Sequence, residues 1–162
     1  MATIKKKIEH SGEWVTTPSH SLVTKREMDM FLMGKENGVE EYKKKRQDIF
    51  NFNFVKSYDD ANKILDIIKA FNIQVISARL KIEALNVFRI AISLKQTEEL
   101  NSKIEDIYNS IYELEESESN DSYSVDFSII KANESFDDKC VENDGYIYKH
   151  RLTINEESTR TA

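Results

Sequence analysis

Three cations in two neighbouring segments are the residues of this chain that point most directly to chemistry. Arg79 and Lys81 lie two positions apart within 73–82, and Arg89 lies within the next segment, 86–95. Residues two apart in a β-strand project from the same face, so one face of a hairpin would carry all three side chains. Because arginine forms paired hydrogen bonds with carboxylates and phosphates, this pattern predicts a surface that binds an anion.

Small polar residues accompany these cations in the predicted strands. Such a surface is suited to an acidic segment of a partner protein, or to an anionic metabolite or nucleotide held by Arg79, Lys81 and Arg89. The alternative interpretation is that these side chains only keep one face of an antiparallel sheet solvated. The predicted ligand- or partner-binding residues of this sheet face are Asn51, Asn53, Arg79, Lys81, Arg89 and Ser93.

Motifs for catalysis and metal binding are missing from the sequence. The three histidines show no metal-ligand spacing, and the chain has neither a glycine-rich phosphate loop nor a nucleophile elbow. Cys140 is the single cysteine, which excludes an internal disulfide and favours a reducing compartment such as the cytoplasm. We therefore predict no catalytic residue, no metal site and no cofactor, and an enzyme is the least favoured class.

The clearest secondary structure is a pair of strands, 73–82 and 86–95, in which apolar and polar residues alternate. The segment 49–54 shows the same alternation, with three phenylalanines on one side and Asn51 and Asn53 on the other. This period of two is typical of strands that have one buried face and one wetter face.

Two helices are predicted between the strands. Ser57 and Asp60 resemble a capping box before an apolar stripe that ends at Phe71, and Thr97 begins a long acidic helix. A further strand follows at 123–129. The order strand, helix, strand, strand, helix, strand resembles the ferredoxin-like βαββαβ plan. The resemblance implies an α+β domain in which an antiparallel sheet carries both helices on one face and the polar residues on the other.

The segments that flank this core are predicted to be smaller additions. Residues 1–48 form an N-terminal extension of a short strand and helices, 49–132 form the core, and 156–162 form a disordered tail. Residues 133–155 are predicted to be a C-terminal β-hairpin, because 143–146 match a two-residue turn. The acidic residues near this turn depart from the EF-hand pattern and are interpreted as turn residues; they are Asp137, Asp138, Glu142 and Asp144.

Charge and hydropathy narrow the class of partner. The 162-residue chain has a formal net charge of −6, which argues against non-specific nucleic-acid binding, although the basic cluster Lys43–Arg46 keeps that function as a further alternative. No apolar run is long enough to span a bilayer. We expect a non-enzymatic, regulatory cytoplasmic protein that uses its open sheet face or its acidic helix to bind a partner protein or a second copy of itself. A sensor for a small anion is the alternative.

Overall fold

The structure is a computed structural model that describes residues 14–16 and 40–151 of the chain. It has an α+β fold, as the sequence predicts. The elements in chain order are β1 (Trp14–Thr16), α1 (Glu40–Ala70), β2 (Val75–Ala84), β3 (Val87–Lys95), α2 (Glu98–Glu118), β4 (Ser124–Ala132), α3 (Asp138–Asn143) and β5 (Tyr148–His150).

The five strands form one mixed sheet in the order β1-β5-β2-β3-β4. The pairs β1·β5, β5·β2 and β2·β3 are antiparallel, whereas β3 and β4 are parallel neighbours joined by the crossover helix α2. A ferredoxin-like plan would place another strand between the two that flank the second helix, and would make every pair antiparallel. The predicted ferredoxin-like antiparallel sheet is therefore wrong, and the sheet is mixed.

The segment 49–54, which the sequence analysis assigned to a strand, belongs to the 31-residue helix α1. Phe50 and Phe54 are buried four residues apart, and the buried positions continue at helical spacing through Ser57 and Ala61. Phe52, expected beside them in the core, is 70% exposed. An alternation over only five residues is compatible with a strand and with a helix, because its first and last phenylalanines are four positions apart. The burial of one continuous helical stripe shows that this segment is a helix.

The C-terminal hairpin predicted over 133–155 is also replaced by other elements. The Asp137 side chain accepts a hydrogen bond from Lys139 N at 3.0 Å and caps α3, while Gly145, at φ 102°, follows its C-terminal end. The sequence at 143–146 therefore ends a short helix. The strand β5 that follows pairs with β1 and β2.

The hydrophobic core lies between the sheet and the two long helices. Apolar side chains of β2, β3 and β4 meet the buried stripes of α1 and α2 in one cluster, with aromatic contacts such as Phe50 against Phe88 at 6.3 Å between ring centroids. Beside this cluster, the His150 ring stacks on Tyr58 at 4.7 Å and meets Trp14 edge-on. These packed rings join the described part of the N-terminal region to the end of the sheet.

Helices α1 and α2 run antiparallel, and α1 extends past α2. Lys56 forms an ion pair with Glu118, the last residue of α2, whereas Lys103, near the first turn of α2, donates to the Phe71 carbonyl at 2.9 Å. At a rise of about 1.5 Å per residue, residues 40–52 project roughly 20 Å along the α1 axis on the far side of Lys56. We call residues 40–52 the α1 overhang.

Candidate functional site

The register of β2 and β3 places four of the six predicted site residues on one sheet face. Lys81 pairs with Arg89, Arg79 pairs with Ala91, and Ser77 pairs with Ser93. The alternate residues of both strands lie in the core against α1 and α2. Arg79, Lys81, Arg89 and Ser93 consequently share the face opposite the long helices.

Asn51 and Asn53 are not part of this face, because they belong to helix α1. Asn51 is exposed, whereas Asn53 is buried and its amide donates to the carbonyls of Leu85, at 3.3 Å, and Ser122, at 3.0 Å. Asn53 thus joins α1 to the β2-β3 turn and to the loop before β4. Its role in a sheet-face site was predicted from a strand that does not form.

Arg79 is covered by helix α3 instead of standing on an open surface. Its side chain is 4% exposed, and its Nε and Nη2 donate to Asp138 Oδ2 at 2.9 and 2.7 Å. A third nitrogen, Nη1, donates to the Tyr146 carbonyl at 3.3 Å, and Nη2 lies 3.5 Å from Glu142 Oε2. The acidic segment expected from a partner is supplied, in this structure, by the chain itself.

The carboxylate of Asp138 is the centre of a network of charges beneath α3. Ser77 Oγ donates to Oδ1 at 2.6 Å, and Lys149 Nζ lies 3.4 Å from Oδ2. Burial acts to raise the pKa of Asp138, but the hydrogen bonds from Arg79 and Ser77 outweigh it, and the pKa lies below its usual value. Asp138 is therefore held as a carboxylate, which neutralises cations on two strands.

Ser93 lies beside this network without taking part in it. Its side chain is fully buried opposite Ser77, and within the described ranges Ser93 Oγ is the buried side-chain oxygen or nitrogen that has no hydrogen-bond partner. A buried hydroxyl without a partner is costly, since it has lost its hydrogen bonds with water. Ser93 is thus an unpartnered hydroxyl across the strand pair from Ser77, which donates to Asp138.

Lys81 and Arg89 occupy the wetter half of the same face. The Glu83 carboxylate lies 3.4 Å from Lys81 Nζ and 3.7 Å from Arg89 Nη1, and Asp126 lies 3.9 Å from Arg89 Nε. Roughly half of the Arg89 side chain is exposed, and such solvated pairs contribute little. The predicted cationic face is therefore divided into a buried part around Arg79 and a solvated part around Arg89.

The acidic half of the buried network was not predicted from the sequence. Asp138 and Glu142 were interpreted as turn residues, whereas they lie in helix α3. The spacing of four between the two carboxylates was the signal available, because in a helix it places both on one side. Nothing local in the sequence pairs this helix with Arg79, which lies 59 residues earlier.

A second candidate surface lies on the α1 overhang. Three large apolar side chains are exposed there, Tyr42 at 57%, Ile49 at 50% and Phe52 at 70%. Ile49 and Phe52 also line an open pocket of about 430 Å³, whose floor includes Tyr123 of the loop before β4. Exposed apolar residues grouped in this way are typical of surfaces that bind another protein.

Helix α2 also has two exposed aromatic side chains. Tyr108 is 47% exposed and Tyr112, one turn later, is 62% exposed. Seen along the helix, they share a strip with the exposed carboxylates of Glu105 and Glu116, and this strip faces away from α1. We call Glu105, Tyr108, Tyr112 and Glu116 the α2 strip.

Comparison with known proteins does not indicate a function for this chain. No protein family matches this chain, and no similarity to a characterised protein or to a solved structure is found. Within residues 14–16 and 40–151, no group of histidine, cysteine and acidic side chains is arranged to hold a metal ion. None of the helices in those ranges is both long enough and apolar enough to cross a membrane.

Proposed function

We propose that this protein is a non-enzymatic regulatory binding module that acts through protein contacts, and that its primary partner is a second copy of itself. In this proposal the α1 overhang of each copy packs against the α2 strip of the other. We place the module in the cytoplasm, which the free thiol of Cys140 favours. The observation that carries the proposal is that two exposed, complementary helical surfaces lie on the same chain.

The first surface has the residue spacing of a helix that packs against another helix. Tyr42, Lys45, Ile49 and Phe52 follow one another at intervals of three, four and three residues, which keeps them on one side of α1. Of the four consecutive cations at residues 43–46, Lys45 and Arg46 lie nearest to this side, and Arg46 lies over the Tyr42 ring. A suitable partner for this side of α1 has apolar side chains among carboxylates.

The α2 strip has both the apolar side chains and the carboxylates. Residues 98–118 contain eight carboxylates and one lysine, so that the helix has a charge of 1 − 8 = −7. Tyr108 and Tyr112 are the apolar contacts, and Glu105 and Glu116 are the charges nearest to them. Contact between the cations of the overhang and these carboxylates would guide association and fix its register.

The lengths of the helices allow the contact to form twice. A twofold axis beside the C-terminal end of α2 would place the second copy's α2 along the α1 overhang, and the reverse contact follows from symmetry. Ile49 lies about 10 Å beyond Lys56 along its helix, and Tyr112 lies about 9 Å before Glu118 along its own. The two apolar centres therefore meet when the ends of the α2 helices adjoin.

Sedimentation velocity over a range of protein concentrations tests the proposal. The wild-type protein should sediment as a dimer, and Phe52→Glu, which places a charge in the centre of the contact, should sediment as a monomer. Lys45→Glu should also weaken the dimer. Lys69→Glu is the matched control, because it makes the same charge change at an exposed site near the other end of α1.

Exchange of the charges between the two surfaces tests whether this particular contact forms the dimer. The double variant Glu105→Lys/Glu116→Lys should be monomeric, and addition of Lys45→Glu to it should restore part of the dimer, because the pairs are re-formed with opposite sign. Wild-type protein that is monomeric at every concentration would show the proposal to be wrong. A dimer that persists in Phe52→Glu would show that the α1 overhang does not form the contact.

A further inference from the structure

Arg79 and Lys149 form an unusual pair within the sheet. They are directly opposite each other on β2 and β5, and both are almost fully buried, with 3% and 7% of the residue exposed. Like charges in this relation repel, and burial removes most of the solvent screening. An anion close to both cations is needed to stabilise this arrangement, and Asp138 Oδ2 occupies that position.

We propose that Ser77, Arg79, Ser93 and Lys149 form a binding site for a phosphoryl group, which the Asp138 carboxylate occupies in this structure. In this inference α3 is an internal competitor, whose two carboxylates take the place of the ligand. The site is distinct from the α1 overhang and the α2 strip. Its failure would leave the self-association proposal unaffected.

The charge of the site fits a phosphate better than a single carboxylate. Asp138 and Glu142 together bring two negative charges to Arg79, at 2.7 and 3.5 Å from Nη2. A phosphomonoester carries about −1.5 to −2 near neutral pH, so one such group supplies the charge of both side chains. A ligand with one carboxylate would bring only half of that charge.

The Asp138 carboxylate also leaves one hydroxyl of this face without a hydrogen-bond partner. Asp138 uses one oxygen for Ser77 and the other for Arg79, at 2.6 Å and at 2.7 to 2.9 Å. Ser93, across the strand pair from Ser77, is left without a partner. A phosphoryl group has a third acceptor oxygen, which the hydroxyl of Ser93 can reach from the same sheet face.

Helix α3 is a suitable element to be displaced. It has six residues, and isolated helices of that length are unstable, so its position depends on the contacts made by Asp138, Glu142 and the buried Val141. Gly145 at its C-terminal end has φ 102°, a conformation that permits a sharp change of direction. Loss of the ion pairs made by Asp138 and Glu142 would weaken the attachment of α3 to the sheet.

Thermal unfolding and calorimetry of Asp138→Asn, with and without inorganic phosphate, test the inference. This variant removes the carboxylate that contacts both cations, keeps the side-chain shape and leaves Glu142 in place. It should unfold at a lower temperature than wild type, phosphate should recover most of that loss, and its affinity for phosphate should exceed that of wild type by about tenfold or more. Sodium chloride at equal ionic strength should have little effect.

The matched control is Glu118→Gln, which removes a carboxylate from another cluster of two cations, Lys56 and Lys63. Phosphate should not stabilise this variant more than it stabilises wild type. Equal phosphate effects in the two variants would overturn the inference, because the ion would then act on exposed cations in general. If Asp138→Asn does not fold, Asp138→Glu/Glu142→Gln provides the same comparison with one competing charge retained.

Removal of the Ser93 hydroxyl, the proposed donor to the third phosphoryl oxygen, completes the test. Ser93→Ala added to Asp138→Asn should reduce the affinity for phosphate severalfold, while an unchanged affinity would exclude Ser93 from the site. Separate titrations with phosphoserine and with a nucleoside monophosphate distinguish the sources of the phosphoryl group. Binding of phosphate but of neither ester identifies the free anion as the ligand.

Discussion

Arg79 on β2 lies directly opposite Lys149 on β5, and one oxygen of Asp138 is 2.7 Å from the guanidinium of the first and 3.4 Å from the ammonium of the second. Strand β2 therefore meets α3 and β5, which lie more than fifty residues later in the chain, at a single carboxylate. That negative charge, together with Glu142 beside Arg79, offsets the repulsion between the two cations. Asp138 consequently links α3 to both β2 and β5.

Removal of the Asp138 carboxylate should strongly destabilise the fold. Asp138→Ala leaves two buried cations facing each other, and we expect the free energy of unfolding to fall by about 3 kcal/mol. Urea unfolding near neutral pH measures this loss. The triple variant Arg79→Met/Asp138→Leu/Lys149→Met should recover most of the lost stability, because well-packed apolar groups replace buried ions without a large penalty. A loss from Asp138→Ala no larger than that of an exposed control, Asp137→Ala, would contradict this account.

Acid should weaken the fold through the same residue. The pKa of Asp138 is lowered in the folded state, where hydrogen bonds and cations outweigh burial, so its contribution is present above the ordinary pKa of about 3.9. That contribution is lost as the pH falls through the folded-state value. Urea unfolding at a series of acidic pH values should show this decline in wild type, and Asp138→Asn should show less of it. Equal slopes for the two proteins would contradict the assignment.

The sequence predicted the centre of this fold much better than its edges. The β2-β3 hairpin was predicted because its alternation extends over two long segments, and one face of each strand packs against the core. At 49–54 the alternation is too short to exclude a helix, and the long-range packing of Phe50 and Phe54 determines the outcome.

The candidate site was likewise predicted only in part from the sequence. Arg79, Lys81, Arg89 and Ser93 could be assigned to one face, because strand geometry alone places them there. Their exposure could not be predicted, because it depends on α3, whose carboxylates pair with Arg79 across a long sequence separation. The sequence therefore predicts where a cation projects, and the tertiary structure determines what neutralises it.

Glu115 should be a position where loss of charge stabilises the protein. Burial raises its pKa, the bond from Phe127 N to Oε1 at 2.7 Å opposes that rise, and the nearby Asp126 adds to it. A carboxyl group with a raised pKa contributes most when protonated, and this contribution is lost as the pH rises through the folded-state value. Glu115→Gln keeps the acceptor oxygen without the charge.

The expected gain for Glu115→Gln is below about 1 kcal/mol near neutral pH, because the side chain is only partly buried and solvent screens the charge. The gain should disappear below the ordinary glutamate pKa of about 4.3, where both side chains are neutral. Glu113→Gln, exposed on the same helix, is the control and should have little effect. A gain that persists in acid would point to a cause other than charge.

Two asparagines in α1 should differ sharply in their effect on stability. Asn53 is 3% exposed and donates to two carbonyls, whereas Asn51 is exposed on the same helix. Asn53→Ala should lower the free energy of unfolding by about 2 kcal/mol, because the carbonyls of Leu85 and Ser122 lose a donor. Asn51→Ala should change it by less than about 0.5 kcal/mol. Urea unfolding of both variants decides between helix and strand at 49–54, since a strand would present the two amides equally to solvent and would give two small effects.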